Sequence, residues 1–411
     1  MLAVFGLLPA CGKVDPADSG SGGQGNSGSG GEAGASSEID WGGCTYDPGL
    51  KANIVLELEE QQLTSVRDLT DLDAWREPYA SLAGIECLAN LESLGLSHYF
   101  PEGERPVLDL SPLADLDRLY RLSLVLAGFS ELEVLADGPL RELLLARGPI
   151  DSLEPLRRFD QLQQLELVGL STPDLEPLSG LRALRSLRLD DLPISDFEPL
   201  SGLPSLARLT LASLDMQDFE GLVGLNLLTE LRVLDVDFTS FAGISSAPNL
   251  VSLEVSGCDE IESFDGLEAC RSIETIEVKT LASYDVILMS DLSALRELTS
   301  LTTLDLAGAR VTDLGPLAGL PLRYLDLSSN QVESIDALAG MPLSTLLLAN
   351  NEIVTLPEGF VGGQGACSRT DLTGNPLDVA AAEQLEALCA METTSGYAWD
   401  GGDCPAVCEA P

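Results

Sequence analysis

Between residues 140 and 222 one hydrophobic phrase returns four times, as LRELLLARGPIDSLEPL, LQQLELVGLSTPDLEPL, LRSLRLDDLPISDFEPL and LARLTLASLDMQDFEGL. The first half of each phrase alternates. Leu187 and Leu189 fall on one face of an extended segment and Arg188 and Asp190 on the other, the period of a short strand with one buried side. Leu143, Leu165, Leu187, Leu209, Leu231 and Leu253 occupy the same slot at a step of 22 residues. The frame continues through Ile276, Leu304, Leu325 and Leu346, and backwards through Leu122 and Leu94 to an expected first member at Leu56.

One such strand cannot bury its apolar face alone. Stacked at one strand per repeat, the strands predict a parallel sheet, and the later leucines of each repeat close the core from the opposite side, which makes the fold class an α/β solenoid. In ISDFEPLSGL the aspartate is placed to accept hydrogen bonds from backbone N–H groups just beyond it, and Pro199 suits the first turn of a short helical segment. The same phrase recurs around Pro177 and Pro316.

This frame resembles the leucine-rich repeats, and among them the 22-residue class found in the internalins of bacterial surfaces and in eukaryotic phosphatase regulators. Gly84 to Ser97, GIECLANLESLGLS, is particularly similar to an internalin phrase, and the resemblance spans residues 52 to 378. It implies a curved parallel sheet with short helices or 3-10 turns on the convex side, and non-enzymatic recognition of a protein on the concave one. The chain departs from the family pattern in one respect. The asparagine that commonly follows the strand is present at Asn330, Asn351 and Asn375, but Leu170, Leu192 and Leu214 take its slot in the middle, where the turn is expected to be bonded differently.

Ahead of the repeats the pattern changes. Met1 to Ala10 is apolar, and Leu8-Pro9-Ala10-Cys11 resembles a bacterial lipoprotein signal, which implies lipidation of Cys11 and attachment to the cell envelope, at the outer membrane or cell surface. Residues 12–40, rich in Gly and Ser, read as a flexible tether. Residues 41–91 are expected to form an N-terminal cap with the first repeat, 92–378 the array, and 379–411 a cysteine-containing C-terminal cap that includes an amphipathic helix in DVAAAEQLEALCAM.

Charge narrows the partners. Acidic residues outnumber basic ones 66 to 22 in 411 residues, a formal net charge of -44, which repels nucleic-acid phosphates and anionic lipid headgroups and favours a basic protein. Attachment to a membrane is expected only through the lipid. With His98 the single histidine, relays and metal clusters that need several imidazoles are excluded, and no cofactor, metal site or catalytic constellation is expected. Setting Cys11 aside, eight cysteines remain. Cys44 and Cys87 flank the first turns, and Cys367, Cys389, Cys404 and Cys408 crowd the end, so disulfide-stabilised caps are expected, with Cys367 to Cys389 and Cys404 to Cys408 the favoured pairs. Cys258 and Cys270 fall in inward slots at opposite ends of one repeat and read as two buried thiols.

The outward positions of the strands form a strip that reads Gly95, Ser123, Leu144, Glu166, Arg188, Thr210, Arg232, Glu254, Glu277, Asp305, Asp326, Leu347. Arg188 is expected beside Glu166 and Arg232 beside Glu254, where each pair neutralises itself across the sheet. The run Glu254, Glu277, Asp305, Asp326 has Lys279 as its nearest outward counter-charge and is the first candidate for a basic partner. Two repeats carry six extra residues, Leu94 to Leu122 and Ile276 to Leu304 each spanning 28, and these insertions place His98, Tyr99 and Phe100 in one loop and Tyr284 with Met289 in the other as further candidates. The reading is a protein-recognition module; a scaffold of the cell's own envelope is the alternative.

Overall fold

The computed structural model of the chain describes residues 39–97, 107–125, 128–130, 132–148, 150, 152–171, 174–244, 247–258, 260–279, 288–357 and 369–384. Among these, every repeat contributes one strand to a 14-stranded sheet whose spatial order follows the chain from Asp71–Ala74 to Arg369–Asp371. All neighbours run parallel, and the leucine frame is the register. Leu165 pairs with Leu187 and Leu187 with Leu209, Leu253 pairs with Ile276, and Ile276 with Leu304. The long repeats do not shift it, because Leu94 still pairs with Leu122. A side ladder of two short strands, Val107–Asp109 and Gly128–Ser130, accompanies the second and third strands of the sheet, Ser93–Ser97 and Arg121–Val125.

The frame begins later than the leucine spacing predicts. Leu56 lies in a helix, Pro48–Glu60, and the first strand pairs Leu72 with Leu94. The helix has its own local causes. The Asp47 carboxylate accepts from the N–H groups of Gly49 and Leu50 at 2.9 and 3.2 Å, Pro48 opens the first turn, and Leu50, Asn53, Ile54 and Leu58 recur at helical spacing on the buried side. Asn53 is 2% exposed and fully bonded. Its amide donates to the carbonyls of Gly49 and Glu77 at 2.9 and 2.7 Å, and its Oδ1 accepts from the N–H groups of Arg76 and Glu77 at 3.0 and 3.1 Å. Gly49 is required there, since a Cβ would lie 1.8 Å from the Pro78 carbonyl oxygen. A disulfide joins Cys44 to Cys87, whose Cα atoms are 6.4 Å apart, and ties this helical cap to the first repeats. Ile39 and Asp40, in the stretch read as tether, belong to the cap: Asp40 bridges to Ser65.

On the side opposite the strands, the Asp-then-Pro phrase behaves as its chemistry requires. Asp174, Asp196 and Asp313 accept from the N–H two residues on at 2.8, 2.9 and 2.8 Å, and Pro177, Pro199 and Pro316 stand in the first turn of the 3-10 segments Glu176–Gly180, Glu198–Gly202 and Gly315–Leu317. Between Phe197 and Phe264 the leucine before this turn is replaced by phenylalanine. Phe219 stacks on Phe241 at 5.5 Å and Phe241 on Phe264 at 6.1 Å, with Phe238 set edge-on between them.

The turns that leave the strands are of two kinds. Asn330 accepts from Val311 N–H at 2.9 Å and donates to the carbonyls of Leu306 and Leu327, both at 2.9 Å, and Asn351 and Asn375 repeat that pattern one and two repeats on. In the middle, Leu170, Leu192 and Leu214 are buried in the same slot, and the ladder is backbone alone. The residue just before the slot adopts a left-handed conformation in both kinds of turn, at Asp191 (φ 52°) and Ser213 (φ 49°) as at Ser329 (φ 60°) and Asn350 (φ 57°), and its N–H reaches a carbonyl of the following repeat. Cys258 stands between the two solutions. Its thiol donates weakly to the carbonyls of Val233 and Ser256, at 3.7 and 3.6 Å, the positions equivalent to those that Asn330 engages at Leu306 and Ser328.

After the last strand, Asp378 accepts from Ala381 N–H at 2.8 Å and begins a helix over residues 379–384. Ala381 packs inward.

Candidate protein-recognition face

The strand pleat sends every second side chain away from the core, and the parallel register brings these side chains into columns. The central column is the strip read from the leucine frame, with one addition at each end: Asp73 pairs with Gly95 at the start, and Leu347 with Asp371 at the close. Ser123, Leu144, Glu166, Arg188, Thr210, Arg232, Glu254, Glu277, Asp305 and Asp326 follow one another on adjacent strands. Gly95 has a structural reason. The Asp73 carboxylate lies over it, 2.2 Å from where a Cβ would be.

The ion pairs on this face differ in part from those the strip predicts. Arg188 bonds Asp190, two residues along its own strand, at 2.5 Å, and forms no ion pair with Glu166. Side chains two apart on one strand share a face and a fixed separation, so the short Asp190 captures the guanidinium first. Arg232 does reach Glu254, at 3.3 Å, while also holding Glu230 at 2.8 Å. Lys279 binds Glu277 at 2.5 Å, again two residues away, and this hydrogen bond raises the lysine pKa above its ordinary value.

Asp305 and Asp326 form no ion pair among the described residues, and each has a local task. Asp305 accepts from Ala307 N–H at 3.2 Å, Asp326 from Ser328 N–H at 2.9 Å, and Asp371 repeats the turn with Thr373 at 3.0 Å. Burial against neighbouring strands raises the Asp305 carboxyl above the usual range; the Ala307 N–H opposes that shift and the adjacent Asp326 charge adds to it. Glu166 is raised for the same first reason, burial, with Arg188 opposing. Asp73 is raised by burial, then by Glu57 and Asp71. The strip therefore holds carboxylates that part of the sheet already desolvates.

His98, Tyr99, Phe100 and Tyr284 lie outside the described residues, as do Cys11, Cys367, Cys389, Cys404 and Cys408. Met289 is fully buried and serves the core of its repeat. Cys258 and Cys270 are free and buried, and burial pushes both thiols up to about 11. An open depression of about 570 Å³, lined by Asp196, Phe197, Asp215, Met216, Asp218 and Val223, lies among the connecting turns and includes no residue of the strip. Among the described residues no group of His, Cys, Asp and Glu side chains is arranged to hold a metal ion, and no helix is long and apolar enough to cross a membrane.

The family model described as Leucine Rich repeat matches residues 297–315, which carry one strand frame and the turn before it. This is a leucine-rich-repeat solenoid of internalin-like fold. The leucine-rich-repeat architecture is shared with an internalin, InlF, from Listeria monocytogenes, at 25% identity and a TM-score of 0.56, covering 86% of this chain and 96% of that one. It is shared also with the leucine-rich-repeat protein LIC12759 of Leptospira interrogans, at 18% identity and a TM-score of 0.54, covering 81% and 96%. A TLR13–ssRNA13 complex has a similar array, at 20% identity and a TM-score of 0.63, over 81% of this chain and 50% of that one. No curated protein sequence matches the chain. Leucine-rich-repeat arrays of this kind are binding scaffolds, and no enzyme family is indicated.

Proposed function

We propose that the array binds a protein through the outward face of its sheet and that it does no chemistry. The observation that supports this reading is the column of outward side chains, in unbroken register over adjacent strands, none of which is needed to fill the core. A surface built in this way recognises by complementarity of charge and shape along its length. A nucleic-acid ligand, as in the TLR13 complex, does not suit a chain of net charge -44.

Cys11 is the proposed point of lipid attachment, which would hold the array on the outer side of a bacterial envelope with residues 12–40 as its tether. Mass spectrometry of the mature protein should find acyl chains on an N-terminal Cys11, lost in Cys11→Ser. The docking surface is tested with Thr210→Trp, which sets an indole in the centre of the strip at a position with no core role. This variant should keep its thermal unfolding midpoint and lose capture of the partner, and full capture would place the docking surface elsewhere. Protease treatment of intact cells separates an outward-facing receptor, which is cleaved, from an envelope scaffold facing inward, which is protected.

A further inference from the structure

The outward face is not uniform along the array. On the strands Arg121–Val125, Glu142–Ala146 and Gln164–Val168, the outward positions include Val125, Leu144, Ala146 and Val168. They are first, third or fifth members of their strands, positions they share with Arg121, Glu142 and Glu166. Leu122, Leu143 and Leu165 beside them fill the core, whereas Val125, Leu144 and Val168 are only partly covered and stand outside the core cluster; Ala146 between them is itself buried. An apolar patch on a face that owes nothing to the core is surface left for something else to cover.

Toward the C-terminal end the same face changes sign. Glu254, Glu277, Asp305 and Asp326 occupy four consecutive strands, and the cations within reach, Arg232 and Lys279, leave Asp305 and Asp326 without an ion pair among the described residues. Between patch and row, Arg188 and Arg232 are held by Asp190 and Glu230, and Arg208, exposed at the start of its strand, is the one cation of the middle strands that forms no ion pair among the described residues.

We infer that the occupant of this face is an extended polypeptide segment, apolar at the end lying over Val125, Leu144 and Val168 and basic at the end lying over Glu254 to Asp326. The inference rests on the reading of the outward face as the docking surface and adds the chemistry and direction of the partner. Five strand steps separate Leu144 from Glu254 and seven separate it from Asp305. At about 4.8 Å per step these are about 24 and 34 Å, which an extended chain of about 3.3 Å per residue covers in roughly seven to ten residues. Charge complementarity selects the basic end, and the desolvated state of Asp305 favours an incoming Arg or Lys that supplies the missing partner.

The test uses the full chain and three synthetic fluorescent peptides. One carries Leu-Val-Leu at one end and Lys-Arg-Lys at the other, separated by about nine Gly and Ser residues, as the extended-chain spacing requires; the two controls have one end or the other replaced by Gly and Ser. The two-ended peptide should bind at least about tenfold more tightly than either control, and should fall to the level of the basic control in Leu144→Glu/Val168→Glu and to that of the apolar control in Glu254→Lys/Glu277→Lys. Equal binding of the two-ended and basic peptides overturns the apolar end, and binding unchanged by the Glu254→Lys/Glu277→Lys charge reversal overturns the basic one. Thr210→Trp separates the levels of the argument. If it abolishes binding that the charge and apolar variants leave intact, the polarity fails while the face stands, and if the two-ended peptide binds Thr210→Trp as it binds the parent chain, the face itself is wrong. Thermal unfolding of each variant confirms that it is folded.

Discussion

Asn351 spends every polar atom inside the array. Its Oδ1 accepts from Val332 N–H at 3.0 Å and its amide donates to the carbonyls of Leu327 and Leu348 at 2.8 and 3.0 Å, with 5% of the residue exposed. Replacement by leucine, the residue the middle repeats use, orphans the buried Val332 N–H, while the carbonyls of Leu327 and Leu348 keep the amides of Asn330 and Asn375. Asn351→Leu should destabilise the fold by about 2 kcal/mol, read as a lower urea midpoint, because a buried N–H is left without an acceptor. The same chemistry in weaker form sits at Cys258, whose thiol, like that of Cys270, is buried with a pKa pushed up to about 11. Both should resist a thiol reagent at neutral to mildly alkaline pH in the folded protein and react on unfolding without reductant, mapped to their two peptides by mass spectrometry. Rapid labelling in the native state would show that their repeat opens locally.

At the scale of elements, the stack of turns behind the sheet depends on phenylalanine and glycine together. Gly266 has φ 103°, and a Cβ there would lie 2.1 Å from the Phe241 carbonyl oxygen, so the chain can approach the phenylalanine below it only without a side chain. Gly266→Ala should cost about 2–4 kcal/mol from left-handed strain and the backbone clash, and Phe241→Ala about 3–5 kcal/mol from the cavity it leaves between Phe219 and Phe264. The cap has a separate staple. Cys44 and Cys87 are 43 residues apart, a loop whose closure removes about 4 kcal/mol of unfolded-state entropy in the chain-entropy picture. The double variant Cys44→Ser/Cys87→Ser should therefore unfold at distinctly lower urea, and hydrogen exchange should show the helix Pro48–Glu60 opening before the central strands.

At the scale of the whole molecule the charge balance governs the response to pH. Glu166 and Asp305 hold protons more tightly folded than unfolded, because burial raises them above the ordinary values of 4.5 and 3.8. In the window from those values upward to the raised folded ones, the native state binds more protons than the unfolded state, so their contribution to stability grows as pH falls through it. The exposed Asp109 and Asp291, lowered chiefly by hydrogen bonds from Ser111 and Ser293, act in the opposite sense. Relief of self-repulsion in a chain of net charge -44 reinforces the first effect. The urea midpoint should be higher at about pH 5 than at about pH 7, and the difference should shrink in about 0.5 M salt, where the Debye length is only a few ångströms. A midpoint that is the same or lower at about pH 5 would show that neither the raised carboxyls nor the self-repulsion governs stability in this window, since the lowered aspartates titrate only below it.

The repeat, the parallel sheet and the order of residues in the outward strip were legible in the amino-acid sequence, because a two-residue pleat nested in a step of 22 leaves one register that buries the leucines. The Asp-then-Pro turns were legible for a similar reason, since their hydrogen bonds are local. Leu56 was misread as strand because one leucine at the right spacing carries no period of its own, whereas the Asp47 cap and Pro48 decide for a helix. What the tertiary structure alone decided is pairing and coverage. It chose Asp190 over Glu166 for Arg188, joined Cys44 to Cys87, and buried Leu170, Leu192 and Leu214 in the slot where asparagine is absent. Each of these depends on distances between side chains on different turns of the array, and one-dimensional spacing places residues in a column without saying which neighbour each will reach.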